Sequence, residues 1–577
     1  MARRRVPIAC RLVLAAMIGG SVFSIAWGTF VEDDVTFGDT VRSSAGVVVA
    51  AHPQAAGVGA ALLARGGNAM DAAVGIAFAL AVVEPEASGL GGGGFLLFYN
   101  ASNDTCVSLD YRETAPALST DTMYSLDSEG LHGTWSGPRT EREQSMLQRY
   151  GGRAVAVPRS VIGLLHAQEV YGRLPLADVL EAAIGLAENG YTVSETLYSA
   201  VLNVYDVILS DEAMAAAFLN DYLPYEPGQT AYRPDLAATL REIAASGSAA
   251  FYSGAMAEDI VTAVRQAGGI LTVADLAATS VAFSEPMEFD YRGFRLLSPP
   301  LPSGSLTLLE TLSILSAYDF SASQLTSADA IHVIAEAAKR AFADRAAYVG
   351  DPAFVSVPAS ELLSADYAAA RRLTISLTDA LLLPAAGTLE HGSTTHVSVV
   401  DGEGNAVSLT QSIGLFFGSR VFVPEWGILM NDTMADFDPE AGNANSVAAE
   451  KKPLSSMCPL LIFDANGLRA VLGTPGGTRI TSTLAQLVIA LCNQDVALDE
   501  AVQLQRFHAE ADTLYIESRV TESELSDLES RGHPVEIKGT YDLFFGGAHV
   551  IEVLRDEENV MYVGTADPRR AGQAAGL

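Results

Sequence analysis

The hydrophobic pattern divides the chain into short apolar runs and longer stretches of helical period. Val47 to Ala51 reads as a strand, and Gln54 to Ala64 as an alanine-rich helix ended by Gly66-Gly67. Asn68 is placed to cap the next helix, Ala69 to Val83, which is apolar on every side, as a helix buried between layers must be. Pro85 stops it. Gly89-Leu-Gly-Gly-Gly-Gly94 then leads into a strand, Phe95 to Tyr99. The glycine run contains a G-x-G-x-x-G match, but the dinucleotide fingerprint has to open a helix, so close backbone packing accounts better for these glycines. From Ser160 to Ala343 apolar residues three and four apart predict mostly helix. Thr374 to Ser393, with Pro384, Gly387 and Gly392, reads as an exposed linker.

After the linker the period changes to two. Thr394 to Val400 alternates, Asp401-Gly-Glu-Gly-Asn405 is turn chemistry, and Ala406 to Ser412 alternates again, which predicts a β-hairpin. Asp401 and Glu403 lack the glycine and distal glutamate of a calcium loop. Leu460 to Phe463 and Ala470 to Leu472 read as strands, Ser482 to Cys492 as a helix, and Ala548 to Val553 and Val560 to Val563 as terminal strands. Helices and strands intermix to the end, so the expected fold is a single intertwined α/β unit.

Composition narrows the function classes. The 577 residues are 49% hydrophobic and 18% charged, which gives material for a large core and excludes disordered and fibrous classes. Against 35 Lys and Arg stand 69 Asp and Glu, a net charge of −34 that repels phosphate backbones, so no nucleic-acid partner is expected. Lys339, Lys451, Lys452 and Lys538 are the only lysines, a bias that either high-GC coding or an acidic surface adapted to salt would produce. Arg3, Arg4 and Arg5 precede an apolar run from Val6 to Trp27, and Ala26-Trp27-Gly28 suits a cut. Residues 1–28 thus read as an export signal and the protein as periplasmic or secreted; an uncleaved signal anchor is the alternative and the one route to a membrane. Cys106, Cys458 and Cys492 would remain after Cys10 leaves with the signal, too few for a disulfide framework.

Familiar catalytic motifs are missing. The sequence holds no H-E-x-x-H, and His508-Ala-Glu510 has no P-C-x-x-C downstream, so neither a catalytic metal nor another cofactor is expected. It holds no G-x-S-x-G elbow and no phosphate-binding loop. His391 and His396 bracket Thr394-Thr395, but a histidine alternating in a strand is more often a packing residue.

A linker running into a buried strand that starts with threonine suits an N-terminal nucleophile hydrolase. The Thr394 hydroxyl would attack the carbonyl of Ser393 and cut the chain. The freed α-amine, with a pKa near 8, would then serve as base for the same hydroxyl. By itself, a threonine opening a strand is also ordinary structure.

Several segments in order carry a family resemblance. Thr394-Thr-His-Val-Ser-Val-Val-Asp-Gly-Glu-Gly-Asn-Ala-Val-Ser-Leu-Thr410, Gly427 to Phe437, Pro453-Leu-Ser-Ser-Met457 and Gly473-Thr-Pro-Gly-Gly-Thr-Arg479 resemble γ-glutamyltranspeptidases, also called glutathione hydrolases. So do Gly66 to Ala73, Gly91 to Phe95, Asp110 to Pro116 and Ala566 to Arg569, and the resemblance covers nearly everything after residue 44. It implies the αββα sandwich of the N-terminal nucleophile superfamily, and a precursor cut into a large subunit (29–393) and a small one (394–577). Thr394 would be the nucleophile, Ser412 the hydroxyl that steadies it, in place of the usual threonine, and Gly476 and Gly477 the oxyanion glycines. Arg112, Ser455 and Ser456 would hold the α-carboxylate of a γ-glutamyl substrate such as glutathione, and Asp436 its ammonium. Two further family contacts to that ammonium, an asparagine and a glutamine, fall on Gly414 and Thr433. The segment from Asp436 to Ser455 is short beside members with a lid, which favours hydrolysis over transfer. The changed positions keep a second reading open, an acylase of glutaryl or other acyl amides like the β-lactam acylases. A non-catalytic periplasmic binding protein is a third.

Overall fold

The computed structural model describes residues 35–125, 141–320, 325–382, 392–493, 496–556 and 559–577. The expected export signal with Cys10, and His391, lie outside the described residues.

Two antiparallel sheets face each other between helical layers, the sandwich that the resemblance implies. The first runs, in spatial order, Thr36–Gly38, Gln573–Gly576, Gly46–Ala50, Gly392–Asp401, Ala406–Leu415, Gly93–Asn100, Thr105–Tyr111 and Phe283–Ser284. The second runs Met287–Tyr291, Phe294–Ser298, Leu460–Asp464, Gly467–Gly473, His549–Arg555, Val560–Ala566 and Thr40–Ser43. Val47, Val49 and Leu97 of the first sheet pack against Leu461, Val471 and Ile551 of the second, and this dry seam fixes the spacing of the layers.

Helices Pro53–Ala64 and Ala69–Val83 cover the outer face of the first sheet. Every residue of the second helix is buried, and it starts in a capping box in which Asn68 accepts from the Met70 and Asp71 amides while Asp71 accepts from the Asn68 amide. Helices Ser305–Leu315, Ala328–Tyr348 and Arg479–Asn493 belong to the core on the other side, where Leu308, Ile331 and Leu484 meet Ile462, Leu472 and Val550.

Two features differ from the sequence reading. The stretch expected to be mostly helical contains the hairpin Met287–Tyr291 and Phe294–Ser298, turned by Arg292 and Gly293 with φ of +56° and +87°, and this hairpin forms one edge of the second sheet. The strand expected to begin at Thr394 begins at Gly392, because Gly392 and Ser393 still pair with Leu415 and Gly414. Thr394 therefore sits two residues inside a strand, with its nitrogen in a peptide bond.

Candidate active site

The hairpin lies mid-sheet, with Gly392–Asp401 paired to Gly46–Ala50 and Ala406–Leu415 paired to Gly93–Asn100. The glycine run makes the second pairing close: a side chain on Gly92 would overlap the Ser412 carbonyl, and the Gly92 carbonyl accepts from the Arg159 and Ser160 amides at 2.8 and 2.9 Å. Between the pairs Ser393–Gly414 and Thr395–Gln411 the register slips, so Thr394 faces two residues, Ser412 and Ile413. This bulge turns the Thr394 side chain toward Ser412.

The hydroxyls there form a relay. Thr394 Oγ1 donates to Ser412 Oγ at 3.2 Å, and Ser412 Oγ donates to the Ser393 carbonyl oxygen at 2.6 Å. The Gly414 amide donates to Ser412 Oγ at 2.9 Å and orients it. Ser393 Oγ donates to the Glu86 carbonyl at 2.8 Å, and Arg570 donates to the Thr394 carbonyl at 2.8 Å and to Glu84 at 3.1 Å. The peptide bond between Ser393 and Thr394 is thus held from both sides. Both Glu86 carboxylate oxygens are buried without a partner, and burial first, then the charge of Glu84, pushes that carboxyl well above its ordinary range.

Thr394 and Ser412 open onto a cleft. Arg112, Asp436, Ser455, Ser456 and Gly477 line it with Gly414, the position of a missing family contact, and so do Asp432, Arg149, Arg345 and Met457, to which the sequence reading gave no role. Arg112 is buried and donates to the Leu454 carbonyl at 2.8 Å, to Glu113 at 3.3 Å and to Asp436. A buried guanidinium paired with a carboxylate at the cleft wall is complementary to a zwitterion: a carboxylate approaches the arginine and an ammonium the aspartate. Ser456 accepts from Arg345 at 2.8 Å, and Ser455 Oγ accepts from the Met457 amide at 3.0 Å. Gly476 and Gly477 have φ of +132° and +58° and stand just before helix Arg479–Asn493, but Gly477 alone of the two lines the cleft.

Thr433, expected at the substrate, does not line the cleft. It is buried, and its hydroxyl donates to Glu113 at 2.9 Å. Asp432 stands there instead, 1% exposed, with Oδ1 accepting from the Leu415 amide at 2.8 Å and Oδ2 without a partner. Burial is the main cause that pushes its carboxyl up to about 8.

His396 is buried and bonds Thr410 at 2.8 Å and Ser398 at 3.1 Å, and burial holds its pKa well below the ordinary value. That is a packing residue. Among the described residues His332, Glu336 and His533 bring three possible metal-ligand atoms together, but Glu336 already pairs with Lys339 at 3.1 Å and Arg340 at 2.8 Å, and none of the three lines the cleft.

Comparison with known proteins places the chain among related enzymes. The gamma-glutamyltranspeptidase family model matches residues 55–577. The Acylase ACY 1 proenzyme of Pseudomonas sp. (strain V22) is 38% identical over 494 residues, spanning 85% of this chain and 87% of that protein. The glutathione hydrolase proenzyme of Bacillus subtilis (strain 168) is 35% identical over 553 residues, spanning 92% and 91%. Among solved structures, a cephalosporin acylase from Bacillus halodurans superposes with a TM-score of 0.83 at 28% identity, covering 97% of this chain and 99% of that one.

Proposed function

Because the chain belongs to the γ-glutamyltranspeptidase family, we propose that it cuts itself before Thr394 and then hydrolyses γ-glutamyl amides, glutathione among them, through an acyl-enzyme on Thr394. The hydroxyl relay from Thr394 through Ser412 to the Ser393 carbonyl carries this reading. In the first reaction Thr394 Oγ1 attacks the Ser393 carbonyl carbon. Its proton passes to Ser412, and the Ser412 proton moves onto the developing oxyanion. The C–N bond then breaks as that proton passes on to the Thr394 nitrogen and the carbonyl re-forms, leaving an ester on Thr394 that water hydrolyses, and residues 394–577 begin with a free amine.

In the second reaction that amine is the base. Thr394 Oγ1 attacks the γ-carbonyl of the substrate, the oxyanion is held by the Gly477 region with Gly476, the amine product leaves, and water releases glutamate. Arg112 takes the α-carboxylate with Ser455 and Ser456, and Asp436 the ammonium. The segment 437–454 supports hydrolysis over transfer: the Lys451 ammonium ties it back on itself through the Ala444 and Ser446 carbonyls, both at 2.8 Å. Among the described residues no helix is long and apolar enough to cross a membrane. With the signal-like residues 1–28 we place the enzyme outside the cytoplasm, cut into chains of residues 29–393 and 394–577.

A second reading, hydrolysis of glutaryl or related acyl amides, is favoured by Gly414, by the Thr433 hydroxyl turned to Glu113, and by the likeness to acylases. Intact mass of the wild type beside Thr394→Ala tests the shared core. The wild type is expected to yield a fragment beginning at Thr394 and the variant to stay whole; a wild type that stays whole once folded refutes the self-cleaving hydrolase and leaves a binding protein.

A further inference from the structure

We infer that Asp432 decides which acyl group the cleft accepts: its free carboxyl oxygen takes the α-ammonium of a γ-glutamyl group, standing in for the side chain that position 414 lacks. This rests on the γ-glutamyl reading of the cleft given above.

The two positions are sterically exclusive. Gly414 has φ +98°, and a Cβ there would overlap Asp432 Oδ1, so the carboxyl fills the room that a residue at 414 would need. Neither half of this exchange is visible from one position alone. The carboxyl is anchored at one end and unpaired at the other, since Oδ1 accepts from the Leu415 amide while Oδ2 is buried without a partner. A buried polar atom left unpaired weakens the fold, and such a cost marks a site that a ligand completes.

Charge selects the ligand. Asp432 lines the same cleft as Thr394, Ser412 and Asp436. Asp436 raises the cost of ionising Asp432 and Arg149, on helix Glu141–Arg149, lowers it. Asp436 already pairs with Arg112, so Asp432 is the carboxyl of the two that has no guanidinium bonded to its outer oxygen. An ammonium between them meets one carboxylate on each side, whereas a glutaryl group brings only methylene to the same place and leaves Oδ2 unpaired. The ammonium also provides the opposite charge that ionises Asp432, so its binding should displace a proton.

The test compares γ-glutamyl and glutaryl p-nitroanilides on the self-cleaved wild type and on Asp432→Asn, with the cut followed by mass on each preparation. The variant should lose about 10- to 100-fold in kcat/KM for the γ-glutamyl anilide, mostly through KM, and keep its glutaryl rate. Equal loss on both anilides, or no loss on either, overturns the assignment while leaving the γ-glutamyl reading standing. A self-cleaved wild type that fails on the γ-glutamyl anilide overturns that reading and this inference with it. Calorimetry on the wild type needs no variant: at pH 7, in buffers of different ionisation enthalpy, L-glutamate should release a proton that glutarate does not. Equal proton release by the two ligands overturns the inference.

Discussion

Ser412→Ala separates the relay from the rest of the site. The substitution removes the donor that lies 2.6 Å from the Ser393 carbonyl oxygen and the acceptor that lies 3.2 Å from the Thr394 hydroxyl. The carbonyl oxygen becomes the oxyanion of the cut, and deleting one donor to such an oxygen costs about 3 to 4 kcal/mol, or roughly 10²- to 10³-fold in rate. The fold is weakened as well, because three hydrogen bonds go with the hydroxyl, those from Thr394 and the Gly414 amide and that to the Ser393 carbonyl, each worth about 1 kcal/mol, so folding is measured separately from cutting. The measurement is the time course of the fragment 394–577 after refolding, by intact mass, with circular dichroism on the uncut chain as control. Ser412→Thr should restore cutting, since its methyl only restricts the rotamer. A folded Ser412→Ala protein that cuts at nearly the wild-type rate would refute the relay and leave Arg570 and Glu84 as the groups that activate the bond.

Arg112→Lys keeps the charge but loses the planar fork, so KM for a γ-glutamyl anilide should rise about 10- to 100-fold with kcat little changed; an equal fall in kcat would place Arg112 in the chemistry instead of in binding. The pH dependence of selectivity follows from Asp432, whose carboxyl burial lifts to about 8. Below that pH the empty site holds a proton that an ammonium must displace, and above it the carboxylate is ready. The γ-glutamyl to glutaryl ratio of kcat/KM should therefore rise with pH through 8 and level off above it, the nucleophile's own titration cancelling in the ratio. A ratio that is flat between pH 6 and 8 (about the window that burial opens) contradicts the role given to Asp432.

What the sequence showed was mostly local. Helix Ala69–Val83 was legible because every position is apolar and Asn68 caps it, and the hairpin at Thr394 because its period is two and its turn is glycine-rich. The edge hairpin at Met287–Ser298 was missed although Met287–Tyr291 alternates and Arg292-Gly293 is turn chemistry, because the second strand, Phe294–Ser298, does not alternate. The site was legible where residues sit in recognisable segments, as with Thr394, Arg112 and Ser455. It was illegible where the meaning is a juxtaposition. Gly414 looked like a lost contact until Asp432 was seen in its space, and Thr433 looked like a ligand until its hydroxyl was seen turned to Glu113. Glu84 and Arg570, 486 residues apart, pair with each other where Arg570 reaches the Thr394 carbonyl.

The place of the hairpin in the first sheet has a consequence for the life of the molecule. One of its strands begins and the other ends beside Thr394, yet each is zipped to a strand from the far side of the cut, Gly46–Ala50 on one flank and Gly93–Asn100 on the other. One severed bond therefore leaves every ladder closed, and the pieces stay interlocked without any covalent tie. Folding and unfolding cease to be the same road travelled in opposite directions: the chain folds as one molecule, but once cut and melted it must find its way back as two. Loss by heat should then be permanent for the cut form and recoverable for Thr394→Ala, so the enzyme is protected by the height of its unfolding barrier rather than by an equilibrium.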